Sequence, residues 1–277
     1  MTGGRISVVI ATHNLARYVP EAVDSALAQT HADREIIVVD DGSTDDTADR
    51  LEPYRTRIRH VRQEHAGLAA ARNHGLRLAG GHYVALLDAD DVWKPEKLAI
   101  QLGIAQRRPH CGLIACDGFE FGGAGVMRPN LFPAHVLDLL AAAPGGEVTR
   151  RIHRALIAVP VIGCPAQTLI PRAVIERLGP FADGGAQDYD YYLRIAQHYP
   201  VTFHHHVLAG WRYRPDSMSG AVEDRSLLWA LYRLPVLGAH ATRCGEESDR
   251  ILIAQTIDRT TREVMAEISR LKRAKRA

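Results

Sequence analysis

The sequence predicts an α/β protein, with a parallel sheet and crossover helices in its first half and a helical extension at the C-terminal end. Three observations carry this. In the first third of the chain, short β-branched runs alternate with stretches of helical periodicity. Three times a run ends in polar or acidic residues and a helical pattern follows. From about Asp224 onward Leu227, Leu228, Leu231 and later Ile251, Ile253, Ile257, Val264 and Ile268 keep a helical pattern.

Ile6 to Ile10 reads as a buried strand that feeds the polar loop Ala11-Thr-His-Asn14. Pro20 then opens a helix where proline costs least, and Val23, Ala26 and Leu27 give it one apolar face. Glu35 to Val39 is a second strand, ending in Asp40-Asp41-Gly-Ser-Thr-Asp45, where Ser43 or Thr44 is positioned to cap a helix. Arg57 to Gln63 is the third strand. Leu68, Ala71, Gly75, Leu76 and Ala79 mark the next helix, which Gly80-Gly81 stops. His82 to Leu87 is the fourth strand. It delivers Asp88-Ala-Asp-Asp91, three carboxylates at the end of an apolar run. Carboxylates so close to a core need a partner, and a divalent cation shared with phosphate oxygens is the economical one. In open sheets of this kind ligands bind beyond the carboxyl ends of the strands, so Thr12, Asp41 and Asp88 to Asp91 are expected on one edge.

The second half is less regular. Gly112 to Cys116 and Val201 to Leu208 read as strands, and residues 121–150, rich in Gly, Pro and Ala, as including a mobile connection. His204-His-His206 lies in a strand pattern, where His205 faces away from its neighbours, so a metal tract is the weaker reading.

Composition is that of a globular protein, with 46% hydrophobic and 24% charged residues among 277. A net charge of +2 gives no ground for a nucleic-acid partner. The four cysteines form no C-x-x-C pair and no secretory signal precedes them, so a reduced, cytoplasmic setting is expected. No segment reaches the roughly 20 apolar residues of a membrane span. The basic run Arg270 to Arg276 leaves peripheral contact with the inner face of a membrane open, and the C-terminal helices leave a homodimer open.

Four motifs stand in order: Ser7-Val-Val-Ile-Ala-Thr-His-Asn14, Ile37-Val-Val-Asp-Asp-Gly-Ser-Thr-Asp45, Gly67-Leu-Ala-Ala-Ala-Arg-Asn73 and Leu86-Leu-Asp-Ala-Asp-Asp-Val-Trp93. Together they closely resemble the family 2 glycosyltransferases, inverting enzymes with the GT-A fold, a Rossmann-like mixed sheet flanked by helices. The resemblance implies a nucleotide-sugar-binding half over 1–105, an acceptor-binding half with the catalytic base over 106–223, and a helical extension over 224–277. It implies a UDP- or dTDP-linked sugar donor and a hydroxyl acceptor on a cell-surface glycan or lipid-linked precursor. Asp41 would accept the imide N–H of the base, with Thr12 and Asn14 beside it. Arg72 would reach base or phosphate. Asp88 would touch the ribose or the water shell of a Mg²⁺ or Mn²⁺ ion, and Asp90 would ligate that ion directly, while Asp91 is a capping or structural acid.

Gln187-Asp-Tyr-Asp190 falls where the family has Glu-Asp, which makes Asp188 the general base and Asp190 the fallback, with Gln187 a departure. Trp211-Arg-Tyr-Arg-Pro-Asp-Ser-Met-Ser219 is similar to a family segment with His where Arg214 stands. Arginine cannot ligate a cation but pairs with phosphate, so Arg214, with Arg212, is expected to clamp the diphosphate. Gln167 or Thr168 is placed to hydrogen-bond a sugar, and Trp93 either packs or stacks. Two other classes compete: a sugar-nucleotide nucleotidyltransferase, which lacks its Gly-rich basic loop here, and a non-catalytic sugar-nucleotide-binding protein, which needs no positioned base.

Overall fold

The computed structural model describes residues 4–217 and 225–274. Met218 and Ser219 of the Trp211 segment, and Lys275 and Arg276 of the basic run, lie outside the described residues.

The first half follows the predicted alternation: β1 (Ile6–Thr12), α1 (Val19–Leu27), β2 (Arg34–Asp40), α2 (Thr47–Leu51), β3 (Arg59–Arg62), α3 (Leu68–Leu78) and β4 (Tyr83–Asp88). Then come β5 (Val92–Trp93), α4 (Lys97–Arg107), β6 (Leu113–Gly122), β7 (Gly125–Arg128), α5 (Ala134–Ala141), β8 (Glu147–Arg150), α6 (His153–Ala158) and β9 (Thr168–Pro171). The chain continues as α7 (Arg172–Leu178), α8 (Gln187–His198), β10 (Val201–Arg212), α9 (Arg225–Ala241) and α10 (Glu247–Ala274). Among the described residues no helix is long and apolar enough to cross a membrane.

The strands form one sheet in the order β3-β2-β1-β4-β9-β6-β10-β5, with β7 on β6 and β8 on β10. β3, β2, β1 and β4 are mutually parallel, as are β6 and β10. The two parallel blocks are joined by the short antiparallel β9, through Val84 opposite Ile170 and Ile114 opposite Leu169. This is the mixed, mostly parallel sheet of the GT-A fold. Alternate residues of β1 feed opposite layers: Val9 and Ala11 pack with Ile37 and Val39, whereas Ile6, Val8 and Ile10 pack with Val19, Val23 and Ala26 of α1. Burial of each of these valine and isoleucine side chains contributes about 1.5–3 kcal/mol.

Gly75 sets the distance of α3 from the sheet. A Cβ there would meet Val9 Cγ1 at 2.3 Å. Gly75→Ala is therefore expected to destabilise the fold by about 1–3 kcal/mol, overriding the ~1 kcal/mol gain in helix propensity. A denaturant midpoint that falls with unchanged slope verifies this, and an unchanged or higher midpoint contradicts it.

Three local expectations are corrected. Residues 121–150 are not a plain connection but hold the β6–β7 hairpin, α5 and β8, anchored by Asp117, whose carboxylate accepts the N–H groups of Leu131 and Phe132 at 2.9 Å. Neither Ser43 nor Thr44 caps α2. Asp45 does that work, accepting Thr47 N–H at 3.1 Å and, with its other oxygen, Ala16 N–H at 3.0 Å. The histidine tract does not alternate cleanly, because β10 bulges between His204 and Val207. His204 is buried, His205 exposed and His206 half-buried, and burial pushes His204 down to about 3, so it is a neutral core imidazole.

Candidate active site

The parallel register brings the predicted edge together. Thr12 lies opposite Asp40, and Ala11 opposite Asp88, so the carboxyl ends of β1, β2 and β4 are level. Beyond them opens a cleft of about 590 Å³. Its walls include Thr12, Asp41, Arg72, Asp88, Asp90, Asp188 and Arg214, far apart in sequence.

Asp41 sits just past β2, and its carboxylate organises the entry to α3. Oδ1 accepts Gln63 Nε2 at 2.7 Å and Ala66 N–H at 2.9 Å, and Oδ2 accepts Gly67 N–H at 2.8 Å. Burial opposes its charge, yet these donors and His65, whose Nδ1 is 2.9 Å from Oδ2, hold Asp41 below the usual carboxylate range. His13 and His65 stack with ring centroids 4.1 Å apart, and both face Asp41. Their ligating atoms lie within 4.8 Å of one another, but each is already used by the loop backbone or the Asp41 carboxylate.

Arg72, 4% exposed, is the central cation. It donates to Asp88 Oδ1 at 2.6 Å. Burial disfavours its charge, but the charges of Asp88 and Asp188 outweigh that and keep the guanidinium protonated. Asp188 stands in the first turn of α8, a half-buried part of the cleft wall. Burial pushes its carboxyl above the usual range, against the pull of Arg72 and of Tyr189 N–H, and Asp88 adds to the rise. The residue before α8, Ala186, is left-handed at φ 53°. That conformation costs a non-glycine residue on the order of 1 kcal/mol, so strain sits at the entry to the Asp188 turn. Asp190, the fallback base, is outside the wall, with one oxygen on Arg194 at 2.9 Å and the other on Arg243 at 2.8 Å.

The acidic cluster divides. Asp91 is buried and turns away, its Oδ1 accepting Arg212 N–H at 2.9 Å, which ties β4 to β10. Burial and the charges of Asp90 and Asp88 push it well above the usual range. Asp88 and Asp90 line the cleft. Asp90 Oδ2 accepts Arg214 Nε at 2.8 Å, yet burial and the charge of Asp88 push its carboxyl up despite that pairing. Two such oxygen donors fit a hard divalent cation, which takes its other ligands from substrate phosphates and water.

Several expected contacts are engaged elsewhere. Asn14, at φ 53°, does not line the cleft. Its Oδ1 accepts Thr44 N–H at 2.7 Å and its N–H reaches Ser43 Oγ, so it locks the β1 and β2 loops together. Arg212 is also outside the wall, donating to the Asp90 carbonyl at 2.7 Å and to Glu21 at 2.5 Å, with its guanidinium over Phe121. Gln167 and Thr168 bond the backbone of residues 163–165, leaving that backbone rather than their side chains beside the cleft. Trp93 packs, its indole N–H donating to Ala166 O at 2.8 Å.

The sequence reading missed one wall. Leu228, Trp229 and Tyr232 of α9 line the cleft, and Tyr232 lies so close to Gly185 that a Cβ there would meet it at 2.4 Å. The i, i+3 aromatic spacing was visible but read as part of a generic helical pattern.

Residues 7–151 match the model of glycosyl transferase family 2. An uncharacterised glycosyltransferase of Rickettsia felis is 29% identical over 241 residues, 82% of this chain and 38% of that protein. The chain spans well under half the length of the curated relatives it matches first. Staphylococcus aureus TarS 1–349, solved with UDP-GlcNAc, superposes with a TM-score of 0.67 at 19% identity, over 92% of this chain and 72% of that one. The mannosyltransferase PcManGT of Pyrobaculum calidifontis, solved with GDP-Man and Mn²⁺, superposes with a TM-score of 0.67 at 22% identity, over 95% of this chain and 74% of that one. At such identities the likeness is one of fold. The family model, by contrast, covers β1 to β8 and every strand-end motif of the cleft, and on that match the chain belongs to glycosyl transferase family 2.

Proposed function

We propose that this chain is an inverting glycosyltransferase that moves a sugar from a UDP- or dTDP-linked donor to a hydroxyl acceptor. The observation that carries the reading is the meeting of Asp41, Asp88, Asp90 and Asp188 around one cleft, with Arg72 between Asp88 and Asp188. Residues 1–105 hold the donor side. Residues 106–223 supply the base, and α9 closes the acceptor side with Trp229 and Tyr232, rings suited to packing on a glycan. The acceptor is a cell-surface glycan or a lipid-linked precursor, with the basic end of α10 offering peripheral contact to an anionic membrane.

All four acceptor positions of the Asp41 carboxylate are engaged, one of them by the side chain of His65, which is 59% accessible. A base imide N–H takes the place of His65, whose ring then lies free to stack on it. Asp90, with Asp88, holds Mg²⁺ or Mn²⁺, which when bound offsets the charge building on the departing diphosphate. Asp188 accepts the proton of the acceptor hydroxyl as that oxygen bonds to the anomeric carbon. The bond from the anomeric carbon to the diphosphate oxygen breaks on the opposite side, and its electron pair leaves with the nucleoside diphosphate. One displacement inverts the anomeric centre. A base pushed above the usual carboxylate range takes up that proton more readily.

Arg214 exchanges Asp90 for the diphosphate when donor and cation arrive. Arg214→Ala is expected to raise the donor KM and lower kcat, together about 10²-fold in kcat/KM. Unchanged donor kinetics contradict that role. The function itself is tested with a panel of nucleotide sugars, with and without Mn²⁺ and no acceptor. Slow, cation-dependent release of nucleoside diphosphate supports a transferase. Exchange with pyrophosphate supports a nucleotidyltransferase instead, and binding without turnover supports a non-catalytic binding protein.

A further inference from the structure

On the side of the molecule formed by α6, α9 and α10, away from the cleft, three metal-ligating side chains converge. They are His153 at the start of α6, His240 in the last turn of α9, and Cys244 in the link to α10. One ligand atom from each lies within 4.8 Å of the others, and all three residues are buried or nearly so. None belongs to the machinery proposed for sugar transfer.

We propose that His153, His240 and Cys244 bind a zinc ion that fastens the C-terminal helices to the acceptor-side half. The donor set is right for zinc, two imidazoles and a thiolate, a combination that calcium and magnesium do not favour. Asp249 supports it from behind. Its Oδ2 is 2.9 Å from His153 Nδ1, the carboxylate–imidazole pairing that fixes the tautomer and leaves Nε2 with a lone pair facing inward. His153 Nε2 and His240 Nε2 face each other at 2.7 Å. Zinc–nitrogen bonds of about 2.0–2.1 Å in a tetrahedron put two such nitrogens about 3.3 Å apart, so binding asks the rings to part by only about half an ångström. The second nitrogen of His240, Nδ1, is buried without a hydrogen-bond partner among the described residues, and Cys244 is a free, buried thiol. A purely structural hydrogen-bonded pair of imidazoles gives no reason for the free thiol beside it. Three protein ligands leave one tetrahedral position for water.

The ion would act at a distance on the cleft. Arg243, between His240 and Cys244, donates to Asp190 Oδ1 at 2.8 Å, and Asp190 is on the helix that carries Asp188. Tyr232 and Trp229, about two and three turns back from His240 along α9, line the cleft on the proposed acceptor side. Zinc would hold that wall in place without touching substrate.

The test uses the full chain, stripped with a chelator and titrated with Co²⁺ and then Zn²⁺. Wild type is expected to take up about one Co²⁺ per chain with a thiolate-to-cobalt charge-transfer band, which Zn²⁺ abolishes. Mg²⁺ and Mn²⁺ at the carboxylates of the cleft produce no such band. Cys244→Ser, close to isosteric, is expected to lose the band while keeping the far-UV circular dichroism of wild type, and His240→Asn to weaken uptake at least tenfold. Wild type that stays folded yet shows no thiolate band overturns the proposal whatever the variants do. A band that survives in Cys244→Ser overturns it as well. The result is independent of whether the cleft transfers sugars.

Discussion

Asp188→Asn is expected to lower kcat by about 10²–10⁴-fold, the range that a positioned general base supplies, or about 3–5.5 kcal/mol of barrier. Nucleoside diphosphate affinity should stay within a few-fold of wild type, because the proposed role of Asp188 is toward the acceptor rather than the base or ribose. The substitution keeps shape and leaves Arg72 paired with Asp88 at 2.6 Å. Stability follows the same logic. Burial raises the folded-state pKa of Asp188. A carboxyl raised in this way contributes stability below its ordinary pKa, and that contribution is lost as pH rises through the folded value. At neutral pH the ionised group is a burden, so the neutral amide does not weaken the fold. The pH profile gives a second readout. A base must be deprotonated, so the acid limb of wild-type kcat/KM is expected above the ordinary aspartate value of about 3.9. The residual activity of Asp188→Asn should lack that limb. A variant with near wild-type kcat would remove Asp188 from the reaction, and Asp190 would be a poor substitute because both its oxygens are held by arginines.

Asp90→Asn should have an effect of comparable size. Loss of this proposed cation ligand is expected to lower kcat/KM by about 10³-fold, several kcal/mol of charge stabilisation on the leaving diphosphate, and to flatten the response to Mn²⁺. The fold should tolerate the change. Burial and, after it, repulsion from Asp88 push Asp90 upward, and an amide relieves both. Arg214 keeps Asp216 at 3.1 Å and the Tyr18 ring at 5.0 Å. An Asp90→Asn enzyme with wild-type turnover and unaltered Mn²⁺ dependence would show that this carboxylate holds no catalytic ion.

The donor side was legible because its signals are local. β1, β2 and β4 are continuous apolar runs that a parallel sheet buries on both faces, and each stops at a polar residue that has to lie at the strand end. What the sequence could not reveal depends on distance. β9 pairs through only two residues on each side, too few to impose a pattern, yet it joins the two parallel blocks. The Arg72–Asp88 and Arg214–Asp90 pairs link residues 16 and 124 positions apart, and nothing in either motif announces them. Asn14 and Arg212 show the limit of reading a role from a motif alone. Both stand within the expected segments, but their polar atoms are spent elsewhere: Asn14 holds the loop after β2 through Thr44, and Arg212 holds the backbone of Asp90, which does line the cleft. Trp229 and Tyr232 were hidden for the opposite reason, since an amphipathic helix reads the same whether its ring-bearing face meets a core or a ligand.

The account stands most directly on whether the strand-end cleft binds a nucleoside diphosphate together with a divalent cation. Calorimetric titration of wild type and Asp90→Asn with UDP, dTDP and GDP, with and without Mn²⁺, measures this. UDP or dTDP is expected to bind wild type at a single site in Mn²⁺ and at least tenfold more weakly when Mn²⁺ is omitted or Asp90 is replaced. A folded wild type that binds none of the three, with or without the ion, would contradict it.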